Sequence, residues 1–231
     1  MNWKQNVLTV AVFALLALRG YSQPAPSAAQ PPKGSTGASA QNRTAMLLSF
    51  IHKTNSAEIE MANLAKQNSS SPQVKNFADQ IIKDHKAEED KILRFADSHN
   101  IDLVAAGKQL RAAVDDAKQR AMDEREVKAV GGGSGEWAWM AEPGTGGSGL
   151  MKAMANHEQE MDKLNTLKGA EFDREFAKAM VNDHQAIINR LTNARTKVND
   201  PEAAALVDKA IPTAKQHLTL AQKLQAAVSK S

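Results

Sequence analysis

The sequence predicts an all-α protein built as an antiparallel four-helix bundle, and three observations support this fold class. Strong helix formers dominate the composition, namely Ala, Lys, Gln, Glu and Leu. Val and Ile are not gathered in the alternating runs that are typical of strands. Apolar residues recur three and four positions apart in long segments, which is the spacing of amphipathic helices.

The clearest segment is the second predicted helix, which runs from Pro72 to about Ser98. Ser71 suits the N-cap, and Pro72 suits the first helical position. Two ionisable residues, His85 and Glu88, interrupt the apolar stripe in its middle. The stripe itself consists of Val74, Ala78, Ile81, Ile92 and Phe95.

The third predicted helix, from about Ala170 to Asn199, repeats the central motif of the second. Both contain the pattern FA-x-x-apolar-apolar-x-Asp-His, which ends at Asp84-His85 in one copy and at Asp183-His184 in the other. The repeat therefore puts a histidine on the apolar stripe of each helix.

The first and fourth predicted helices complete the bundle. The first runs from about Asn42 to Asn68 with Glu58 on its inner side, and the fourth runs from Pro201 to about Val228 with His217 on its apolar stripe. Short connections at residues 69–71 and 199–200 predict two antiparallel helical hairpins. Pro212 lies inside the fourth helix, where it removes one backbone hydrogen bond and predicts a kink.

The N-terminal region predicts export. Residues 1–22 have the features of a signal peptide, with Lys4 before an uncharged apolar run from Val7 to Leu18 that is too short to span a bilayer. Cleavage is expected before Gln23, and an uncleaved N-terminal anchor is the alternative. Residues 23–41 are rich in Pro, Ser and Ala and predict a disordered linker, so the folded domain is expected to span residues 42–228.

The connection between the second and third helices is unusually long, with an insertion at about residues 104–150. Val104 to Val130 has strong helix propensity, and the segment Gly131–Gly149 that follows is rich in glycine and contains Trp137 and Trp139. We interpret the glycine-rich segment as a mobile loop with two anchoring indoles. The alternative is a surface that binds a partner protein in the cell envelope. A helix is expected again from Leu150 to Leu167.

Each helix of the predicted bundle carries an ionisable side chain near its middle: Glu58, His85, His184 and His217. Since the midpoints of antiparallel neighbours lie at one level, these side chains are expected to form a central layer, with Glu88 one turn away. Buried ionisable groups need partners. Either the layer is structural, with neutral histidines bonded to carboxylates or water, or it binds one transition-metal ion such as Zn, Fe, Mn or Cu. The candidate ligands are His85, His184, His217, Glu58 and Glu88. In either case Asp84 and Asp183 are candidate outer partners. The remaining histidines, His52, His99 and His157, are expected at the surface.

Other function classes find less support. No histidine has a Glu three residues before it, so the paired Glu-x-x-His motifs of diiron carboxylate sites are absent. No Ser-His-Asp order, phosphate loop or acid–base carboxylate pair indicates an enzyme. The net charge is +3 with acids and bases interspersed, which argues against nucleic-acid binding. The chain has no cysteine, which excludes disulfides and thiolate metal sites.

Several short motifs together resemble an exported bacterial ferritin-like family, the domain-of-unknown-function family 4142, whose members are often labelled "predicted outer membrane protein". The motifs are Asn55-x-x-Glu58-Ile59, the two Asp-His copies, Gly169-x-x-Phe172-Asp173 and Ile211-Pro212 followed by His217. The resemblance covers about residues 42–103 and 161–228. It implies a ferritin-like bundle in the periplasm or associated with the outer membrane, without a transmembrane span in the mature chain, and it implies no particular activity.

Overall fold

The computed structural model of this chain describes residues 35–112, 115, 157 and 159–230. All regular secondary structure in this part of the chain is helical. The predicted signal peptide, most of the predicted linker and the segment with Trp137 and Trp139 lie outside the described residues.

Four long helices form the bundle: α1 (Ser35–Asn68), α2 (Pro72–Ser98), α3 (Gly169–Arg195) and α4 (Pro201–Val228). The helices α1 and α2 form one antiparallel hairpin, and α3 and α4 form the other. The two hairpins meet where α1 packs on α3 and where α2 packs on α4. The predicted fold class, an antiparallel ferritin-like four-helix bundle, is thereby confirmed.

Both hairpin turns end in an N-cap followed by proline, as the sequence predicts. The Ser71 hydroxyl accepts a hydrogen bond from the backbone N–H of Val74, and the Asp200 carboxylate accepts from the N–H groups of Glu202 and Ala203. Pro72 and Pro201 are the first residues of α2 and α4, where their missing N–H groups are not needed.

Two predicted helix boundaries were wrong. The helix α1 begins at Ser35 rather than at Asn42, so residues 35–41 belong to the helix and not to the predicted linker. No proline follows Pro32 in this region, and the helix can therefore extend backwards through Ala38 and Ala40. The helix α3 ends at Arg195 rather than at Asn199, because Thr196 closes the last turn through bonds to the carbonyl of Asn193.

The apolar interior is divided into two clusters. The lower cluster joins the end of α1, the start of α2, the start of α3 and the end of α4, and includes Met61, Ile81, Phe172, Phe176, Met180 and Leu224. The upper cluster joins the opposite ends of the four helices and includes Leu47, Ile51, Ile92, Phe95, Leu191 and Val207. Buried polar residues lie between them along each helix: Asn55, Glu58, His85, His184 and His217.

This arrangement requires the connection between α2 and α3 to travel the length of the bundle. The helix α2 ends in the upper cluster, and α3 begins in the lower cluster. A helix of 27 residues, the length of α2, rises roughly 40 Å. The described parts of the connection agree with this path, since Leu103 packs in the upper cluster and Leu164 in the lower one.

The first turns of the connection are helical over residues 103–112 and are anchored to α1. The buried hydroxyl of Ser49 donates a 2.7 Å hydrogen bond to the carbonyl of Leu103. Gly107 passes so close to α1 that a Cβ at this position would lie 2.6 Å from Ser49 Oγ and 2.7 Å from Lys53 Cε. A glycine is needed here for the close approach of the two helices.

The helix α4 remains continuous through Pro212. None of the helices in the described part of the chain combines the length and apolar composition that crossing a membrane requires.

Candidate metal centre

Four side chains, one from each helix of the bundle, converge between the two apolar clusters. Glu58 comes from α1, His85 from α2, His184 from α3 and His217 from α4. Their exposed fractions are 2%, 6%, 0% and 0%, so the whole group is buried. One nitrogen or oxygen of each residue lies within 4.8 Å of the corresponding atoms of the other three. The convergence expected from mid-helix positions is therefore observed.

Glu58 and the three histidines are in direct contact. Glu58 Oε2 lies 2.6 Å from His85 Nε2 and 3.3 Å from His184 Nε2. His184 Nε2 lies 3.2 Å from His217 Nδ1. These contacts define the inner faces of the group, which we call the His3Glu cluster.

The outer nitrogen of each imidazole faces a hydrogen-bond acceptor. The pairs are His85 Nδ1 with Asn55 Oδ1 at 3.0 Å, His184 Nδ1 with the Met180 carbonyl at 2.9 Å, and His217 Nε2 with Asp84 Oδ2 at 2.9 Å. Each acceptor favours a proton on the outer nitrogen. When the ring is neutral, the lone pair is then on the inner nitrogen, as in histidines that bind metals.

The inner side of the cluster contains polar atoms without hydrogen bonds. Neither carboxylate oxygen of Glu58 has a hydrogen-bond partner in the described chain, and neither does His85 Nε2. The 2.6 Å separation between Glu58 and His85 is close enough for an ion pair but does not meet hydrogen-bond geometry. Such buried atoms are costly unless another group satisfies them.

The electrostatics of the cluster favour a charged Glu58 and a charged His85. Burial alone would raise the pKa of Glu58, but the electrostatic influence of the neighbouring His184 and His85 outweighs burial and lowers this pKa to about 2. Burial alone would lower the pKa of His85, but Glu58 and Glu88 outweigh burial and raise it to about 10. Near pH 7 the charged ring of His85 therefore faces the ionised carboxylate of Glu58.

His217 behaves in the opposite way. Burial lowers the pKa of His217, and the neighbouring His184 and His85 lower it further, although Asp84 opposes them. His217 is thus held neutral near pH 7, which is the state that a metal ligand requires.

Glu88 was predicted as a candidate ligand, but it does not lie inside the cluster. Its Oε2 is 3.6 Å from His85 Nδ1, on the outer side of the ring, and its side chain is 18% exposed. The residue is three positions after His85 on α2, so it reaches the same ring from the side opposite Glu58. Glu58 is the carboxylate that faces the inner nitrogens.

The two Asp-His copies differ in their surroundings. Asp84 bonds the ring of His217, because α2 packs against α4. Asp183 has no hydrogen bond to any of the three histidines within the described residues, and it differs from Asp84 in this respect. It lies near Glu160, which precedes α3. Burial, Glu160 and Glu58 together raise the pKa of Asp183 to about 8, despite the opposing charge of Arg190.

The sequence reasoning missed a second group of polar residues beside the cluster. His52 was expected at the surface, but it is half-buried and bonds Glu89 of α2 through Nδ1. Glu89 in turn accepts a 3.5 Å hydrogen bond from the amide nitrogen of Asn55. The available signal was the three-residue spacing of His52, Asn55 and Glu58, which puts them close together on one side of α1. His99, also expected at the surface, is half-buried and stacks on Phe95, and His157 is half-buried as well.

A small cavity adjoins the His3Glu cluster on the side that faces the upper apolar cluster. Asn55, His85, Glu88, His184 and Thr213 contribute to its lining. Its volume of about 20 Å³ is enough for one water molecule. The described residues therefore leave space for a very small ligand next to the histidines.

Comparison with known proteins gives a family and a fold. A family model described as "Domain of unknown function (DUF4142)" matches residues 27–129 and 148–224. A search of curated proteins found no significant match. The stretch between the two matched segments, residues 130–147, coincides with the glycine-rich part of the predicted insertion.

Two solved structures resemble this bundle. One is the crystal structure of a secreted DUF305 protein from Streptomyces coelicolor, with 14% identity, a TM-score of 0.54 and coverage of 82% of this chain and 92% of that chain. The other is CopM in the Cu(II)-bound form, with 19% identity, a TM-score of 0.48 and coverage of 81% and 96%. At 14% identity, the similarity to the secreted DUF305 protein concerns the fold alone.

Proposed function

This chain belongs to the family described as Domain of unknown function (DUF4142), and we propose that it binds one transition-metal ion at the His3Glu cluster. The ligands are Glu58, His85, His184 and His217. Three imidazole nitrogens and one carboxylate oxygen form a donor set that suits Zn, Fe, Mn or Cu.

The observation that carries this proposal is the direction of the three imidazoles. Each ring has an acceptor on its outer side, at distances of 2.9 to 3.0 Å, and its second nitrogen in the common interior. Metal-binding histidines are held in this way by outer partners. Two ligand atoms bound tetrahedrally to one zinc ion at about 2.0–2.1 Å lie about 3.3 Å apart, and the separations of 3.3 and 3.2 Å around His184 are close to this value.

The unsatisfied polar atoms support a bound cation rather than a closed hydrogen-bond network. A cation that displaces the proton of His85 would accept lone pairs from Glu58 and from His85 Nε2, whose atoms make no hydrogen bond in the described chain. The single inner carboxylate provides too little negative charge for two ions, so we propose a mononuclear site.

A binding role is favoured over an enzyme. The cavity beside the cluster has space for about one water, and the ligands are almost fully buried. A substrate larger than water has no described space next to the inner nitrogens. Diiron oxidase or ferroxidase chemistry is disfavoured further by the single inner carboxylate.

The test is elemental analysis of protein purified from its own host compartment, together with thermal melting. Stoichiometric metal is expected in the wild type and not in His184→Ala. Addition of the matching metal to the chelated wild type should raise its melting temperature by mass action, while His184→Ala should not respond. His157→Ala is the matched control, since His157 is not part of the cluster, and it should retain the metal.

The alternative function is a non-catalytic structural or interaction module of the envelope, with a purely structural His3Glu cluster. The observation that favours it is the close ion pair between Glu58 and His85, which a proton satisfies as well as a metal does. Metal-free wild type with no thermal response to Zn, Mn, Cu or Fe, and His184→Ala that is merely less stable, would support this alternative and contradict the metal site.

We also propose that the protein acts outside the cytoplasm. The support is Lys4 followed by the apolar run from Val7 to Leu18 and the Pro-rich segment after it. Mass spectrometry of protein made in its own host should find an N-terminus near Gln23. Intact Met1 on protein recovered from the cytosol would contradict export.

A further inference from the structure

We propose that Asn55, Glu89 and His52 form a positioning network that keeps His85 in the orientation and protonation form that metal binding requires. None of the three is a ligand. The proposal rests on the metal-binding function proposed above and extends it to residues outside the His3Glu cluster.

The network begins at His85 Nδ1, the nitrogen that faces away from the cluster. Asn55 Oδ1 lies 3.0 Å from this nitrogen. Asn55 is 1% exposed, so bulk water does not reach its amide. An amide oxygen only accepts hydrogen bonds, and it therefore requires the proton on Nδ1. With Nδ1 protonated, Nε2 is the nitrogen that can bind a metal.

The form of the His85 ring depends on which way the Asn55 amide is turned. If the amide were reversed, its NH2 group would face His85 Nδ1 and would favour a lone pair on that nitrogen. The proton of a neutral ring would then move to Nε2, in the interior of the cluster, and His85 could not bind the metal.

Glu89 fixes the direction of the amide. Its Oε2 accepts a 3.5 Å hydrogen bond from Asn55 Nδ2. A carboxylate has no donor, so it attracts the NH2 end of the amide and repels the oxygen end. The oxygen of Asn55 is thereby directed at His85. Glu88 Oε2, at 3.6 Å from the same Nδ1, is also an acceptor and favours the same form of the ring.

His52 completes the network at the protein surface. Its Nδ1 bonds the second oxygen of Glu89, and its side chain is 29% exposed while that of Glu89 is 16% exposed. Because His52 and Asn55 hold different oxygens of one carboxylate, the rotation of Glu89 is restricted from both sides. The network thus extends from partly exposed His52 on α1, through α2 and back to α1, to a buried ligand.

The experiment is a double-mutant cycle with Asn55→Ala and Glu89→Ala, in which Zn²⁺ affinity is measured by competition with a chelating indicator. Loss of an outer partner typically weakens metal affinity about 10–100-fold, and this loss is expected for Asn55→Ala. Glu89→Ala is expected to weaken affinity severalfold in the wild type and to have little further effect in the Asn55→Ala background, because it acts through Asn55. Equal losses in both backgrounds would contradict the network.

Asp90→Ala is the matched control. Asp90 is the next residue on α2, has the same charge as Glu89 and is exposed, so its removal should leave Zn²⁺ affinity unchanged. If Asp90→Ala weakens affinity as much as Glu89→Ala, the effect is one of general charge and the proposal is wrong. Circular dichroism melting of all metal-free variants identifies any that fail to fold, and Asn55→Gln provides a conservative variant that retains the amide.

A second measurement does not depend on metal. In the chelated protein, ¹H–¹⁵N spectra of the imidazoles should show a hydrogen-bonded proton on His85 Nδ1, and this signal should shift in Glu89→Ala and not in Asp90→Ala. A shift without any metal binding by the wild type would support the network and contradict the proposed function. An unchanged His85 signal in Glu89→Ala would contradict the network whether or not metal binds.

Discussion

At the scale of single residues, the cluster shows how neighbouring charges reverse the effect of burial. Burial disfavours charge on every member, yet Glu58 is held ionised by the neighbouring His184 and His85, and His85 is held ionised chiefly by Glu58. His217 lies in the same layer and is held neutral. A cation that replaces the proton on His85 would remain opposite the same carboxylate.

The pH dependence of stability in the metal-free protein should reveal this proton. The pKa of His85 is about 10 in the folded protein and about 6.5 in the unfolded chain, so its stabilising contribution is complete below pH 6.5 and is lost as pH rises towards 10. The pKa of Asp183 is raised to about 8 in the folded protein. Its destabilising effect therefore grows as pH rises from about 4 to 8 and stays constant above pH 8. Between pH 8 and 10, His85 should therefore dominate, with a loss of about 1.4 kcal/mol per pH unit for one proton.

Urea unfolding of chelated protein at several pH values measures this slope. Glu58→Gln removes the main counter-charge of His85, so the slope between pH 8 and 10 should become flatter in this variant. An equally steep slope in Glu58→Gln would mean that other groups cause the alkaline loss.

The residues of the cluster were largely predictable, but their partners were not. Apolar stripes fix the inward side of each helix, and mid-helix positions fix the level, so His85, His184 and His217 could be brought together from periodicity alone. Periodicity does not specify which neighbouring helix a side chain faces. For that reason Glu88 was included among the candidate ligands, Asp183 was expected to behave like Asp84, and the contact between His52 and Glu89 was not foreseen.

At the scale of helices, α2 and α4 were predicted with their observed bounds, because Ser71-Pro72 and Asp200-Pro201 combine a side-chain cap with a proline at the first position. The less precise ends, the start of α1 and the end of α3, lack such signals. Helix propensity alone permits several boundaries there, and local backbone bonds decide among them.

The contact between residues 103–112 and α1 should be sensitive to one methyl group. Helix propensity favours Ala over Gly by about 1 kcal/mol, so Gly107→Ala would stabilise an open helix. Here the new Cβ would lie 2.6 Å from Ser49 Oγ, which is buried and bonded to Leu103, and overpacking typically costs about 1–3 kcal/mol. We therefore expect a net loss of about 1 kcal/mol in the free energy of unfolding.

Chemical unfolding of Gly107→Ala beside Lys108→Ala, an exposed position of the same helix, measures this loss. A Gly107→Ala protein that is more stable than the wild type would show that the connection can move away from α1 at little cost.

At the scale of the whole molecule, the insertion is expected to be an appendage of the bundle. The family model omits residues 130–147, which belong to the glycine-rich segment with Trp137 and Trp139. Described residues on the two sides of the insertion pack on the bundle, with Leu103 in the upper cluster and Leu164 in the lower one. Deletion of Gly131–Gly149 should therefore leave the helical content and the melting temperature nearly unchanged, as measured by circular dichroism. Collapse of the fold would mean that the indoles belong to the core.

The division of the interior into two apolar clusters has a consequence for cooperativity. Each cluster draws on all four helices, and in the described chain the polar layer with Glu58 and the three histidines lies between the upper half and the lower half. Without metal, the contacts inside this layer are polar ones such as the Glu58–His85 ion pair, and loss of these contacts would let the two halves open more independently of each other. A bound ion would link one residue from every helix at that cross-section, so its presence would couple the opening of the two halves more strongly.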